Sequence, residues 1–286
     1  MAPFATRLAR IAAAFALAAT ATITLGAAPA PAASASCTPS AAHPDPVLLL
    51  HGLGANADED INVLRSWLDG QGYCTFAYTY GAYDQFPVVG GLRDIAYSAG
   101  QIAADVRAVH AATGAARIDL VGHSEGAFQS LYVTKTQGVA GLIGRVVAIA
   151  PPTHGTTFAG LYNLASLLGA GERAVVGQAL SALGCPACDQ LGTGGSAVAT
   201  LDAGPIARPG VTYTVLTSRA DELVTPTDTA FVDEPGVVNE YVQDFCPADP
   251  VGHIGEAYDT NVWHMVANAL TDQPHAPFPC LAGSPG

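Results

Sequence analysis

Apolar positions along this chain fall into two patterns that alternate. Pro46-Val47-Leu48-Leu49-Leu50 and Val146-Val147-Ala148-Ile149-Ala150 are continuous apolar runs, the mark of strands buried on both faces. Arg117-Ile118-Asp119-Leu120-Val121 reads as a third short buried strand. Cys74 to Tyr80, Val211 to Thr217 and Val237 to Val242 are strand-rich as well. Between these runs the apolar residues recur at helical spacing. Ile61, Leu64 and Leu68 line one face of a helix predicted over Asp60 to Gly70. Ile102, Val106 and Val109 mark the next, and Ala127 to Val133 another. Val262, Met265, Val266 and Leu270 mark a closing helix from Ala257 to Leu270. Strands alternating with helices predict an α/β fold with a mostly parallel central sheet and flanking helices. In such sheets ligand chemistry gathers beyond the carboxyl ends of the strands.

One stretch breaks the rhythm. About sixty residues separate the strand ending at Ala150 from the one starting at Val211. They hold apolar helical segments at Leu161 to Leu168 and Ala174 to Leu183, a cysteine pair and a glycine-rich run. A connection that long in a compact domain usually carries function. It is read as a cap or lid insertion over the site, at about residues 151–209.

The first residues form a separate unit. Arg7 and Arg10 precede an uncharged apolar run from Ile11 to Leu25, and small residues lead to Ala33-Ser34-Ala35. This is the plan of a secretory signal, predicted over residues 1–35 with cleavage after Ala35. The run is short for a membrane span. Residues 36–286 then form one domain, and a secreted, extracellular protein is expected. The net charge of −13 becomes −15 without that segment, which carries two arginines and no acid. Such a surface argues against nucleic acid and anionic headgroups as partners. A monomer is expected.

All six cysteines lie after residue 35: Cys37, Cys74, Cys185, Cys188, Cys246 and Cys280. An even number in an exported chain reads as three disulfides. Six cysteines allow fifteen pairings. Order along the chain suggests 37–74, 185–188 and 246–280 without choosing among them. Cys185-Pro186-Ala187-Cys188 follows a helical rather than a strand pattern, which weakens a redox reading. No second ligand pair has matching spacing for zinc, so no metal is predicted.

The candidate chemistry centres on Gly122-His123-Ser124-Glu125-Gly126, between a buried strand and a helix. In that context G-x-S-x-G marks a nucleophile elbow, with serine at the apex of a tight turn. The competing reading of Ser124 is an ordinary helix N-cap. A serine nucleophile needs a general base and an orienting carboxylate, in the chain order Ser, acid, His. His154, His253, His264 and His275 follow Ser124. Only His253 sits in a loop before the last helix, where the base belongs. The acid should follow the strand at Tyr213 to Thr217, which points to Asp221. Glu222 is its close competitor, Asp228 and Asp233 are fallbacks, and an Asx turn is the structural alternative. The oxyanion donors are read as the backbone N–H groups of Glu125 and of Leu53, in His51-Gly52-Leu53-Gly54.

Together these segments resemble the secreted lipases of the class 2 lipase family of actinobacteria. His51 to Asn56 matches the family's oxyanion segment and Gly122 to Gly126 its elbow. Thr217 to Pro226 looks like its acid segment, and Val242 to His253 like its histidine segment. The same features are similar to the yeast lipase B scaffold. That resemblance implies an α/β-hydrolase fold and supports the pairings 37–74 and 246–280. It implies carboxylic ester hydrolysis through Ser124, Asp221 and His253, with no cofactor. The substrate is a lipid or other ester, and a transient lipid–water interface is a candidate partner. Short-chain esterases, polyester or cutin depolymerases and acyltransferases share this machinery. Two positions depart from the pattern. Glu125 stands where glutamine is usual, and Gly252 replaces an aspartate before His253.

Overall fold

Six parallel strands run in the order β2-β1-β3-β4-β5-β6. They are β1 (Val47–Leu50), β2 (Thr75–Ala77), β3 (Ile118–His123), β4 (Ile143–Ile149), β5 (Thr212–Thr217) and β6 (Val237–Tyr241). The structure, a computed structural model, describes residues 37–157 and 181–284. The signal predicted at residues 1–35 and most of the predicted cap helices lie outside them. Among the described residues the helices are α1 (Asn62–Gly70), α2 (Ile95–Thr113), α3 (Glu125–Thr136), α4 (Pro186–Gln190), α5 (Ser196–Asp202), α6 (Val242–Phe245) and α7 (Thr260–Leu270). No helix among them is long and apolar enough to cross a membrane.

Alternate residues of each strand face opposite layers, and both layers are apolar. Leu48 and Leu50 of β1 join Leu120, Val146 and Val215 against Ile102 and Val106 of α2 and Phe128 and Leu131 of α3. Val47 and Leu49 join Val121, Val147 and Leu216 against Leu64 and Leu68 of α1 and Val262, Met265 and Val266 of α7. The continuous apolar runs are thus strands covered on both sides, as parallel sheets require.

The strand order reverses between β1 and β3: β2 lies on one side of β1, and β3 begins the succession to β6. Register levels the strand ends there. Leu50 pairs with Gly122, and His123 with Ile149. The segments leaving β1 and β3 therefore emerge side by side at the carboxyl edge. Such a switch point is where open α/β sheets form a crevice.

Several boundaries differ from the sequence reading, each for a local reason. β2 is only Thr75–Ala77, because Tyr80 turns away to stack on His51, ring centroids 4.2 Å apart. α1 begins at Asn62 rather than Asp60. Asp60 has φ 64° and turns its carboxylate inward. Val242 leaves β6 and opens α6. α7 begins at Thr260, where the Asp259 side chain accepts the N–H groups of Asn261 and Val262.

Disulfides join Cys37 to Cys74, Cys185 to Cys188 and Cys246 to Cys280. The first ties the chain ahead of β1 to the start of β2. The third ties the end of α6 to the C-terminal segment. Cys185 and Cys188 bracket the start of α4, after a turn rather than a strand.

Candidate active site

Ser124 sits between β3 and α3 with φ 54° and ψ −119°, a conformation that costs a non-glycine residue about 1–3 kcal/mol. It holds the N-cap position, but its side chain makes no capping hydrogen bond. The Ser124 N–H donates to the Ile149 carbonyl at 2.9 Å, which anchors the turn on β4. Glycines make the turn possible. A Cβ on Gly122 would run into the Gly126 carbonyl, and one on Gly126 into the Leu50 and His51 carbonyls.

The Ser124 hydroxyl lies 2.9 Å from Nε2 of His253. Nδ1 of His253 lies 2.8 Å from Oδ2 of Asp221. His253 follows α6 in the loop before α7, and Asp221 follows β5; both are buried. Oδ1 of Asp221 accepts the N–H groups of Leu223 and Val224, each at 2.8 Å. One oxygen thus closes an Asx-type turn while the other holds the imidazole, so the two readings of Asp221 coexist. Glu222 accepts the backbone N–H of His253 instead.

The other histidines are engaged elsewhere. His154 bonds Asp202 and the Phe231 carbonyl, His264 stacks on Phe278, and His275 pairs with Glu240.

In the loop after β1, Gly52 N–H donates to Asp60 at 2.7 Å and Gly54 N–H to the Gly90 carbonyl at 2.9 Å. Leu53 N–H has no hydrogen-bond partner among the described residues. Neither has Glu125 N–H, the first amide of α3, which an intrahelical bond cannot reach. Gly52 packs close to Ser124, since a Cβ there would stand 3.3 Å from the Ser124 Cβ. Two amides without a partner among the described residues thus lie next to this contact in the chain, Leu53 after Gly52 and Glu125 after Ser124. Nearby, His51 has a fixed tautomer: Nδ1–H donates to the Gly52 carbonyl at 2.8 Å, and Nε2 accepts the Tyr80 N–H at 3.3 Å. Burial lowers its pKa, consistent with the neutral ring.

The Glu125 side chain is fully buried beneath this loop. Gln129 approaches one carboxyl oxygen at 3.4 Å, and the other has no hydrogen-bond partner among the described residues. Burial pushes its pKa well above the usual carboxylate range, against a small opposing pull from Gln129. The carboxyl of Glu125 therefore holds its proton to higher pH than an exposed carboxyl does. Glu256, one turn beyond His253, is likewise pushed well above that range by burial, with Asp221 adding to the effect.

Sequence reasoning missed the shell around the hydroxyl: Asp60, the ring of His123, Glu256 and the Gly90-Gly91 pair. Only the adjacent glycines carried a signal, of close backbone approach. His123, His253 and Glu256 bring donor atoms within 4.8 Å of one another. Both imidazoles already use both nitrogens, so a metal here would have to displace a hydrogen bond from each.

A family model described as the alpha/beta hydrolase fold matches residues 45–184. A triacylglycerol lipase of Pseudarthrobacter phenanthrenivorans is 34% identical over 117 residues, 40% of this chain and 35% of that protein. One from Burkholderia plantarii is 34% identical over 117 residues, 40% of this chain and 31% of that protein. The match thus spans about a third of these relatives' length. Among solved structures, Aspergillus fumigatus lipase B superposes with a TM-score of 0.61 at 20% identity, covering 79% of this chain and 52% of that one. A 2-hydroxy-6-oxo-6-phenylhexa-2,4-dienoate hydrolase from a Rhodococcus species gives 0.53 at 15% identity, covering 81% and 91%.

Proposed function

Because this chain has the α/β-hydrolase fold, we propose that it is a serine-dependent carboxylic ester hydrolase acting on triacylglycerols. The observation that carries the reading is the unbroken chain from Ser124 Oγ through His253 to Asp221, at 2.9 and 2.8 Å. Ser124 attacks the ester carbonyl while His253 Nε2 takes its proton. Asp221 holds the imidazole in the tautomer that leaves Nε2 free to accept, and balances the charge that forms. The developing oxyanion is met by the N–H groups of Leu53 and Glu125. Collapse expels the alcohol, which takes the proton back from His253. Water then repeats the sequence on the acyl-enzyme and releases the acid. Neither a metal nor an organic cofactor enters these steps.

Triacylglycerol as substrate rests on the two bacterial relatives bearing that name. Export rests on the pattern of residues 1–35 and on three disulfides, which persist in oxidising compartments. Residues 151–209 are assigned as the cap that selects among esters.

A fluorophosphonate probe should label the protein once, on Ser124, and Ser124→Ala should lose both labelling and hydrolysis while unfolding at the same temperature. Retained hydrolysis in that variant would remove Ser124 from the mechanism. Turnover of emulsified triolein alongside soluble short-chain esters is expected. Activity confined to the soluble esters would replace the lipase with an esterase.

A further inference from the structure

Asp60 lies outside the three proposed catalytic groups, yet it touches the loop after β1 and the residue before Ser124. One carboxylate oxygen accepts the Gly52 N–H at 2.7 Å, in the loop after β1. The other lies 2.8 Å from Nδ1 of His123, at the end of β3. Nε2 of His123 lies 2.9 Å from the backbone carbonyl of His253. The Asp60 N–H donates to the Tyr258 hydroxyl at 3.0 Å, just ahead of α7. Asp60 is buried, and its left-handed backbone aims the side chain inward.

The chemistry of His123 follows from its partners. A backbone carbonyl only accepts, and so does an ionised carboxylate. Both ring nitrogens must therefore donate, which makes His123 an imidazolium with Asp60 as its counter-charge. Burial opposes both charges, and each partner's field overcomes it. The His123 pKa is raised above the ordinary imidazole value and that of Asp60 is lowered below the carboxylate value.

We propose that Asp60 is a positioning residue for this active site, holding the oxyanion loop through Gly52 and the backbone of the catalytic histidine through His123. This rests on the serine-hydrolase reading above. Gly52 immediately precedes the Leu53 amide, so the Asp60–Gly52 bond fixes the approach of that donor. The His123–His253 bond fixes the imidazole from behind, at the residue's own carbonyl. A misplacement of about 1 Å in such a site lowers the rate about 10²-fold. Asn fits the same network differently. Its oxygen accepts from Gly52, and its amide donates to the Nδ1 of a neutral His123, whose Nε2–H still reaches His253.

The test compares wild type, Ser124→Ala, Asp60→Ala and Asp60→Asn on a soluble p-nitrophenyl ester, with thermal unfolding of each. Asp60→Ala should lower kcat of the folded protein about 10²-fold with KM within about twofold. Asp60→Asn should keep at least about a fifth of wild-type kcat, rescuing most of that loss. A role in packing alone would move the unfolding temperature and leave kcat of the folded protein in place. The proposal is overturned if Asp60→Ala stays within about threefold of wild-type kcat, or if Asp60→Asn is as impaired as Asp60→Ala. If Asp60→Ala does not fold, Asp60→Ser, too short to bridge both partners, takes its place under the same criteria. Wild type and Ser124→Ala with equal activity would overturn the serine-hydrolase reading, and this proposal with it. An active wild type, a silent Ser124→Ala and an unaffected Asp60→Ala would overturn this proposal alone.

Discussion

Glu125 shows how one residue can act differently through its backbone and its carboxyl. Under the proposed mechanism its N–H meets the oxyanion, while its carboxyl group is sealed from water with one long contact. The folded protein keeps this carboxyl protonated to higher pH than the unfolded chain does. Above the ordinary carboxylate value of 4.5 the native state therefore binds the extra proton, and stability falls as pH rises until the folded group itself ionises. Glu125→Gln removes that proton uptake. It should raise Tm by about 3–6 °C near pH 8 and change it little near pH 4. Equal Tm gains at both pH values in differential scanning calorimetry would show that folding leaves the pKa of this carboxyl unshifted. At this scale the sequence was legible wherever residue type and chain order constrain each other. Ser124, Asp221 and His253 were reached that way. Asp60 was not, because an aspartate ahead of a helix looks like any cap. Its role appears only when β1, β3 and the His253 loop meet.

The elbow is an element whose geometry depends on glycine. Gly122 and Gly126 lie against backbone, where nothing can move aside. Gly126→Ala should therefore destabilise the fold by about 3 kcal/mol or more. Gly100 provides the contrast, as an exposed residue within α2 with open space around its Cβ position. Gly100→Ala should stabilise by about 0.5–1 kcal/mol through helix propensity. Urea denaturation of both variants checks the pair of signs. The continuous apolar runs at Val47 and Val146 were legible as strands because burial on both faces leaves no polar alternation. Ends were less legible. Tyr80 leaves the β2 pattern for His51, and Asp60 leaves the α1 pattern for Gly52 and His123. In each case a contact across the fold overrides the local preference.

Across the whole molecule, the disulfides divide by the length of chain they close. Cys37–Cys74 and Cys246–Cys280 are separated by 37 and 34 positions, Cys185–Cys188 by only 3. Loop-closure entropy assigns about 4 kcal/mol to each long loop and about 2 kcal/mol to the short one. Replacing Cys246 and Cys280 together by alanine should thus lower stability about twice as much as replacing Cys185 and Cys188, measured by guanidinium denaturation. The strand alternation made the fold class legible on both sides of the stretch between Ala150 and Val211. The reversal of strand order at β1 and β3 was not legible, because no local pattern states which strands become neighbours. That arrangement also sets a timetable. The loop at Leu53, the turn at Ser124, the acid at Asp221 and the base at His253 leave the ribosome in that order. Under the proposed roles, a growing chain holds its nucleophile long before the group that activates it. Hydrolysis is therefore withheld until the His253 loop has been made and has come to rest between Asp221 and Ser124.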